Sequence, residues 1–209
     1  FTALSRDQET DLPDHDSLIQ RRPDISTDPL RFPRGARAGT CLHRILETVD
    51  FTAPLQGPQR TTINQLLRAG GFSEEWGDNV VNLLQRVLAT PLDGQRLADI
   101  TREQRCDELE FYYPLASLTA DALKALLARH RFGHGSLAND WVERLQFETA
   151  EGYLHGFIDL VFESKGRYFV VDYKSNDLGP RDEDYTPERL LATMVQEHYL
   201  LQYLIYTLA

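Results

Sequence analysis

The chain has 209 residues, of which 42% are hydrophobic and 26% are charged, values typical of a soluble globular protein. A chain of this length buries about 70% of its unfolded surface, so it needs no covalent staple to fold. Its two cysteines are isolated, which excludes a disulfide framework or a four-cysteine metal site. The formal net charge of −10 argues against capture of nucleic acid by a basic surface. No apolar run approaches the ~20 residues of a membrane span, so no membrane association and a cytoplasmic location are expected.

Residues 1–34 are rich in proline and charge and show no sustained hydrophobic period. This composition predicts a linker or extended arm, followed by one domain over residues 35–209. The only methionine is Met194, and the helical pattern of the last residues, HYLLQYLIYTLA, has no Gly, Asn or Pro to end it. Both ends therefore predict a fragment of a longer chain, truncated at its carboxyl end.

Three helices are predicted before the first strand. Apolar residues at helical spacing predict the first helix from about Ala36 to Val49. The stretch TTINQLLRAGGF predicts a short helix closed by glycine, and EEWGDNVVNLLQRVLAT predicts another that ends at Pro91. The second and third helices form a predicted helical insertion.

Strand-like runs dominate the rest of the chain. The alternating run DELEFYYPL predicts the first strand, TADALKALLARH predicts a helix capped by Thr119, and GHGSLAND predicts a loop. Three further strands are expected in RLQFETA, YLHGFIDLVFES and RYFVVDYKS, the last two joined by the turn KGR. A final helix from about Pro187 to the end completes an α/β fold, with a small mixed sheet flanked by helices.

Two charged residues follow the apolar run of the last predicted strand. Asp172 and Lys174 are two residues apart, and alternate side chains of a strand point the same way, so the carboxylate and the ammonium lie side by side. Asp159, in the preceding strand, shares a face with Phe157 and Val161, and a hairpin through KGR brings it near Asp172. Two carboxylates beside a lysine suit a magnesium or manganese site.

A surface ion pair worth less than ~1 kcal/mol is the simpler interpretation of any single Asp-x-Lys. The neighbouring runs YFVV and GFIDLVF, however, are apolar on both faces, as in central strands. Charges there are costly to bury unless a cation or a partner compensates. Glu108 and Glu110 share a face of the first predicted strand, where one of them supports the site or both face solvent.

Four ordered stretches resemble the PD-(D/E)XK nucleases, in the version found in RecB-type subunits of helicase-nucleases. GFIDLVFESKGRYFVVDYKSN resembles their acid, hairpin and Asp-x-Lys core. FPRGARAGTCLHRILE resembles their histidine helix, ELEFYYPL their first core strand and HYLLQYLIY their Q-x-x-x-Y helix. The resemblance runs from about Phe32 to Ala209 and implies a restriction-endonuclease-like core. These nucleases normally continue beyond the last helix.

The resemblance implies a role for each matching residue. The metal ligands would be His43, Asp159, Asp172 and the backbone carbonyl of Tyr173, holding Mg²⁺, for which Mn²⁺ substitutes. Gly39, one turn before the histidine, would let the helix approach the sheet closely.

The remaining roles concern water, phosphate and the DNA strand. Lys174 would orient or deprotonate the attacking water, or stabilise the transition state. Gln202 and Tyr206, at i and i+4 of the last helix, would contact DNA or support Lys174, although a helical core stripe explains them equally.

The resemblance also implies an activity and partners. The chain would be the Mg²⁺-dependent, exodeoxyribonuclease V-type nuclease module of a RecB-like helicase-nuclease in double-strand-break repair and recombination. It would cut single strands of DNA delivered by the motor, in a heterotrimer with RecC- and RecD-like subunits. Two alternatives stay open: a catalytically silent nuclease-like module that binds DNA or protein, and a metal hydrolase of small molecules. A silent module is expected to lack one of the acids or the lysine, whereas Asp159, Asp172 and Lys174 are all present. A hydrolase of small molecules is expected to have a self-contained pocket.

Overall fold

The computed structural model describes residues 27–129 and 141–209. Most of the predicted arm and the whole GHGSLAND loop lie outside these residues, and the predicted domain boundaries stay predictions. The described residues fall into two compact units. The first unit comprises 27–109 and Ile158–Arg181, and the second comprises Glu110–Phe157 and Asp182–Ala209.

The first unit contains the three predicted helices, α1 (Ala36–Thr48), α2 (Pro58–Ala69) and α3 (Gly77–Ala89). Each helix turns one apolar stripe inward, because residues four apart lie on the same helical face. The buried pairs, each residue at most 1% exposed, are Ile45 with Val49, Ile63 with Leu67, and Val80 with Leu84. These pairs belong to one hydrophobic core, which also takes in Leu160 and Phe162 from the sheet.

Local sequence signals set the ends of these helices. Gly70 follows the last residue of α2, as predicted, whereas the helix begins three residues earlier than predicted, with Pro58 in its first turn. Ser73 caps a short 3₁₀ turn that leads into α3, and α3 ends shortly before Pro91. Phe32 is buried in the same core, so the chain is already packed before α1 begins.

The strands form two small sheets. Strands β1 (Pro91–Leu92) and β2 (Gln95–Arg96) make a short antiparallel hairpin. Strands β3 (Arg105–Leu118), β4 (Ala150–Ser164) and β5 (Arg167–Val171) make a sheet in the order β3-β4-β5. The predicted α/β class, a small sheet with flanking helices, is confirmed. Among the described pairings, β1 with β2 and β4 with β5 are antiparallel, whereas the sequence predicted a mixed sheet.

The β4–β5 hairpin sets the register of the predicted acids. Lys165 and Gly166 form its two-residue turn with φ of 53° and 72°, the positive values that a tight hairpin requires. The ladder runs from Ser164 opposite Arg167 to Leu160 opposite Val171. Asp159 and Asp172 directly adjoin this last pair, so the hairpin brings the two acids near each other, as predicted.

Strand β5 is shorter than the sequence predicted. The run RYFVVDYKS was expected to be extended throughout, but the ladder ends at Val171 and residues 172–180 have no regular structure. The backbone N–H of Tyr173 donates to a side-chain oxygen of Asp159 instead of to a neighbouring strand. The Asp159 carboxylate therefore takes the place of a strand carbonyl as the acceptor for the N–H of Tyr173.

The second unit corrects the prediction for RLQFETA. Within this stretch only Ala150 is in a strand, because β4 begins there. Leu145 packs with Trp141 and Val142 in a second hydrophobic core, and the spacing 141, 142, 145 is that of a helical face. The alternation of RLQFETA does follow burial, since Leu145 and Phe147 are less exposed than Gln146 and Glu148, but residues 144–149 form no strand.

Helix α4 (Ala120–Arg129) follows β3, with Thr119 as the predicted cap that accepts from the N–H of Ala122 at 3.1 Å.

The predicted final helix is two helices. Helices α5 (Pro187–Gln196) and α6 (Tyr199–Leu208) are separated at His198, whose φ of 57° is left-handed. Residues from both helices pack on the second core, so the apolar period continues across the break and hides it in the sequence.

Among the described residues, no helix is long and apolar enough to cross a membrane. Both cysteines are free, with Cys41 buried and Cys106 exposed.

Candidate metal centre

Three side chains from three different elements converge in the first unit. A ring nitrogen of His43 and carboxylate oxygens of Glu108 and Asp159 all lie within 4.8 Å of one another. They are carried by α1, β3 and β4, so residues distant in sequence meet at one point. An imidazole nitrogen and two carboxylate oxygens are common ligands of divalent cations in proteins. The donor set therefore fits a divalent cation.

Asp159 lies at the centre of this cluster. Its Oδ2 is 3.5 Å from Nδ1 of His43 and accepts a hydrogen bond from the backbone N–H of Tyr173 at 2.6 Å. The side chain is only 13% exposed, so it has little freedom to turn away. The hydrogen bond with Asp159 raises the pKa of His43, although burial acts in the opposite direction. Asp159 thus links the helix, the hairpin and the segment after β5.

Asp172 and Lys174 lie side by side in an ion pair, as predicted, although both follow the end of β5 rather than forming part of it. Both side chains are largely shielded, at 20% and 32% exposed. Burial raises the pKa of Asp172, and the hydrogen bond with Lys174 opposes that rise. The charge of Asp172 also acts on His43, which is therefore in electrostatic range. The Asp172 carboxylate belongs to this pair rather than to the 4.8 Å cluster of His43, Glu108 and Asp159.

Glu108 lies in the cluster itself, whereas its strand pattern indicated at most a supporting role. Its φ of 52° lies in the left-handed region, which is uncommon for a residue other than glycine. Regular alternation would place Glu108 and Glu110 in equivalent environments. Instead Glu108 joins His43 and Asp159, whereas Glu110 accepts from Tyr112 and lies 2.9 Å from a ring nitrogen of His155. Burial and the charge of Asp159 raise the pKa of Glu108.

The crowding of carboxylates gives an independent reason to expect a cation. Desolvation is the largest cause of the raised pKa of both Glu108 and Asp172, and the charge of Asp159 raises both further. Partly buried anions that repel one another are stabilised by a shared positive ion.

Gly39 brings α1 close to the segment that follows β5. A Cβ atom at this position would lie 2.9 Å from Oγ of Ser175, closer than such atoms normally approach. Gly39 is buried on the same helix as His43. The expected close approach is therefore present, and its partner is the segment that carries Asp172 and Lys174.

We expect Gly39→Val to destabilise the fold by about 1–3 kcal/mol, the usual cost of overpacking. Gly39→Ala should cost much less, because the Ser175 hydroxyl can rotate away and alanine favours a helix. Thermal unfolding of the two variants checks this order. Equal stabilities for the Val and Ala variants would show that α1 is not held against Ser175.

Gln202 and Tyr206 lie in the second unit, on α6. The side-chain amide of Gln202 donates to the Tyr206 hydroxyl at 2.7 Å, as their i and i+4 spacing allows. The Tyr206 ring packs edge-on against Phe111, with ring centroids 5.8 Å apart. Their predicted contact with DNA or with Lys174 stays a prediction.

The fold and the cluster together define a class of protein. An α/β core with an acid on one strand, and an Asp-x-Lys segment after the next strand of a hairpin, is the arrangement of restriction-endonuclease-like nucleases. The model of the PD-(D/E)XK nuclease superfamily matches residues 18–209, and the chain belongs to this superfamily.

The chain is also similar to part of several RecB proteins, which confirms the resemblance predicted from the motifs. It is 38% identical to the RecBCD enzyme subunit RecB of Escherichia coli K12 over 184 residues, which cover 87% of this chain and 15% of the relative. For the same subunit of Haemophilus influenzae the identity is 37% over 185 residues, which cover 86% of this chain and 14% of the relative. For the same subunit of Mycobacterium tuberculosis the identity is 32% over 207 residues, which cover 88% of this chain and 19% of the relative. The chain thus spans less than a fifth of the length of these curated relatives.

Proposed function

We propose that this chain is the metal-dependent nuclease module of a RecB-like helicase-nuclease and hydrolyses DNA phosphodiester bonds. The observation that carries the proposal is the convergence of His43, Glu108 and Asp159 beside the Asp172–Lys174 ion pair. Membership of the PD-(D/E)XK nuclease superfamily supports a nuclease rather than another metal hydrolase.

The proposed metal ligands are His43, Asp159, Asp172 and the backbone carbonyl of Tyr173, with Glu108 as a further carboxylate. Mg²⁺ is the proposed ion and Mn²⁺ its substitute, because the donors are mainly carboxylate oxygens. When bound, such an ion supplies Lewis acidity at the scissile phosphate and favours ionisation of water. Asp159 is already fixed by the N–H of Tyr173, so its carboxylate is preorganised for this role.

Lys174 is the proposed group for the reacting water or phosphate. Asp172 holds its ammonium through the ion pair, and the partial burial of both side chains limits competition from solvent. An ammonium in this position stabilises the negative charge that develops on the phosphate, or it orients and deprotonates the water.

The acidic composition of the chain bears on how DNA reaches the site. With a net charge of −10 the chain repels a polyanion at long range, so the strand must be delivered rather than captured. We propose delivery of single strands by the helicase motor of a complex with RecC- and RecD-like subunits, in the cytoplasm, during double-strand-break repair and recombination. The names of the RecB relatives support such an assembly. Gln202 and Tyr206 are proposed to contact the strand.

Degradation of linear double-stranded and single-stranded DNA by the intact complex tests the proposal. With Mg²⁺ we expect degradation that EDTA abolishes and that Asp172→Ala lowers by at least about 100-fold, as for loss of a preorganised electrostatic group. Asp99→Ala is the matched control, because Asp99 lies on the surface in an ion pair with Arg96. ATP-driven unwinding should continue in both variants, which shows that each complex is assembled.

Two outcomes would contradict the proposal. Cleavage by Asp172→Ala at the wild-type rate would show that the site is assigned wrongly. DNA binding without any cleavage by the wild-type complex would instead favour a catalytically silent nuclease-like module.

A further inference from the structure

The carboxyl end of α1 is bonded by arginines from outside the helix. No basic residue occupies the last turn of α1 itself. Arg102 donates to the backbone carbonyls of Glu47 at 3.0 Å and Thr48 at 2.6 Å. Arg105 donates to the carbonyl of Val49 at 2.8 Å. These two arginines therefore satisfy carbonyls that the end of a helix leaves open, and their charge opposes the negative end of the helix dipole.

Both guanidinium groups are held in place. Asp107 accepts from Arg102 at 2.9 Å and from Arg105 at 3.1 Å, and its side chain is 11% exposed. The Arg105 side chain is only 1% exposed, and its guanidinium carbon lies 3.5 Å from the centre of the Phe51 ring. A planar guanidinium that donates to fixed acceptors and stacks on a ring is a rigid link. We call Arg102, Arg105 and Asp107 the arginine clamp.

The arginine clamp joins the two elements that bring separate donors to the candidate metal centre. His43 lies one helical turn before Glu47, whose carbonyl the clamp holds. Asp107 is followed directly by Glu108, whose left-handed backbone leaves it next to His43 and Asp159. Movement of the end of α1 relative to the start of β3 would therefore change the separation of His43 and Glu108.

The geometry points to Arg102 and Arg105 as positioning residues, which act with Asp107 to fix His43 relative to Glu108 and Asp159 for cation binding. This inference rests on the proposed metal centre. The contacts that carry it are long-range, since Arg102 and Arg105 bond to residues 54 to 56 positions away in the sequence. Outer-shell partners that orient ligands typically change metal affinity by about 10–100-fold when removed.

Arg102 is the better position for a test. Its side chain is 46% exposed, so in Arg102→Ala water can reach the freed carbonyls and no buried cavity forms. Asp107 keeps its bond to Arg105 in this variant. We expect Arg102→Ala to weaken Mn²⁺ binding about tenfold, the low end of the range for outer-shell partners, as measured by calorimetric titration of the folded protein. Arg96→Ala is the matched control, since Arg96 forms its own exposed ion pair with Asp99 and should bind Mn²⁺ like wild type.

A double-variant comparison separates positioning from simple stabilisation. If Arg102 acts by placing His43, Arg102→Ala should cause no further loss of Mn²⁺ affinity in a His43→Ala background. If Arg102 only stabilises the fold, Arg102→Ala should lower Mn²⁺ affinity as much in the His43→Ala background as in the wild type. Arg102→Lys should bind Mn²⁺ more tightly than Arg102→Ala but less tightly than wild type. One ammonium can make some, but not all, of the hydrogen bonds that the planar guanidinium of Arg102 makes.

Two results would overturn the inference while leaving the metal centre intact. One is wild-type Mn²⁺ affinity in Arg102→Ala together with weakened binding in His43→Ala. The other is a loss of Mn²⁺ affinity, on adding Arg102→Ala to His43→Ala, as large as the loss that Arg102→Ala causes in the wild type. Wild-type affinity in both His43→Ala and Asp159→Asn would instead overturn the proposed metal centre itself.

Discussion

Replacement of Lys174 by methionine is expected to lower the rate of DNA hydrolysis by about 10²–10⁴-fold, the range for loss of a positioned catalytic group. The same Lys174→Met variant should bind Mn²⁺ at least as tightly as wild type. Methionine keeps most of the length and apolar volume of the side chain, so packing is retained. Removal of the ammonium also removes a positive charge near the proposed cation and releases the Asp172 carboxylate from its ion pair.

The measurements are single-turnover cleavage of a labelled single strand and Mn²⁺ titration of the same preparations. Lys124→Met is the matched control, because Lys124 lies on α4 in the second unit. Lys174→Arg then separates the two proposed roles. Arginine keeps the charge but does not give up its proton, so partial activity would indicate transition-state stabilisation and complete inactivity would indicate a general base. Loss of Mn²⁺ binding in Lys174→Met would contradict the separation of catalysis from binding.

The sequence predicted those parts of the site that local patterns determine. Asp172 and Lys174 were predicted to lie side by side and do form an ion pair, although both follow the end of β5. The KGR turn sets the register of a ladder whose last pair, Leu160 with Val171, directly adjoins Asp159 and Asp172. His43 is different, because a single helical histidine has no local signal and was identified only through the ordered motifs. Hairpin geometry and strand period are short-range properties, so they can be read from a sequence.

The remaining features depend on backbone conformation or on distant contacts. The left-handed φ of Glu108 breaks the alternation from which its environment was predicted, and glutamate does not mark such a position. The left-handed His198 divides the last helix while the apolar period continues, which concealed the break. The bonds from Arg102 to the end of α1 join residues more than 50 positions apart, and no periodicity encodes them.

The helix end and the hairpin also differ in what fixes them. Backbone ladder bonds hold Asp159, through Leu160 and its partner Val171, at a set distance from the segment after β5. Side-chain bonds to backbone carbonyls hold α1, which carries His43. The acids are therefore built into the sheet, whereas the histidine depends on side chains that a single substitution can remove.

The largest loss of cation binding is expected from Asp159→Asn. Asparagine has nearly the same shape and its carbonyl oxygen can still accept from the N–H of Tyr173, so the local structure should persist. The anionic oxygen that lies within 4.8 Å of donors from both His43 and Glu108 is lost, however. We expect Mn²⁺ affinity to fall by more than about 100-fold, since loss of a mere outer-shell partner already costs about 10–100-fold. DNA hydrolysis should fall at least as far.

Thermal unfolding with and without Mn²⁺ distinguishes loss of binding from loss of structure. Binding to the folded state alone raises the melting temperature, so the wild type should be stabilised by Mn²⁺ and Asp159→Asn should not. Without metal, Asp159→Asn should be about as stable as wild type, because the attraction to His43 that it loses is offset by relief of the repulsion on Glu108 and Asp172. Glu163→Gln, which removes a charge from the same strand at the hairpin turn, should keep the response to Mn²⁺. An Asp159→Asn protein that is still stabilised by Mn²⁺ as strongly as wild type would show that the cation binds elsewhere.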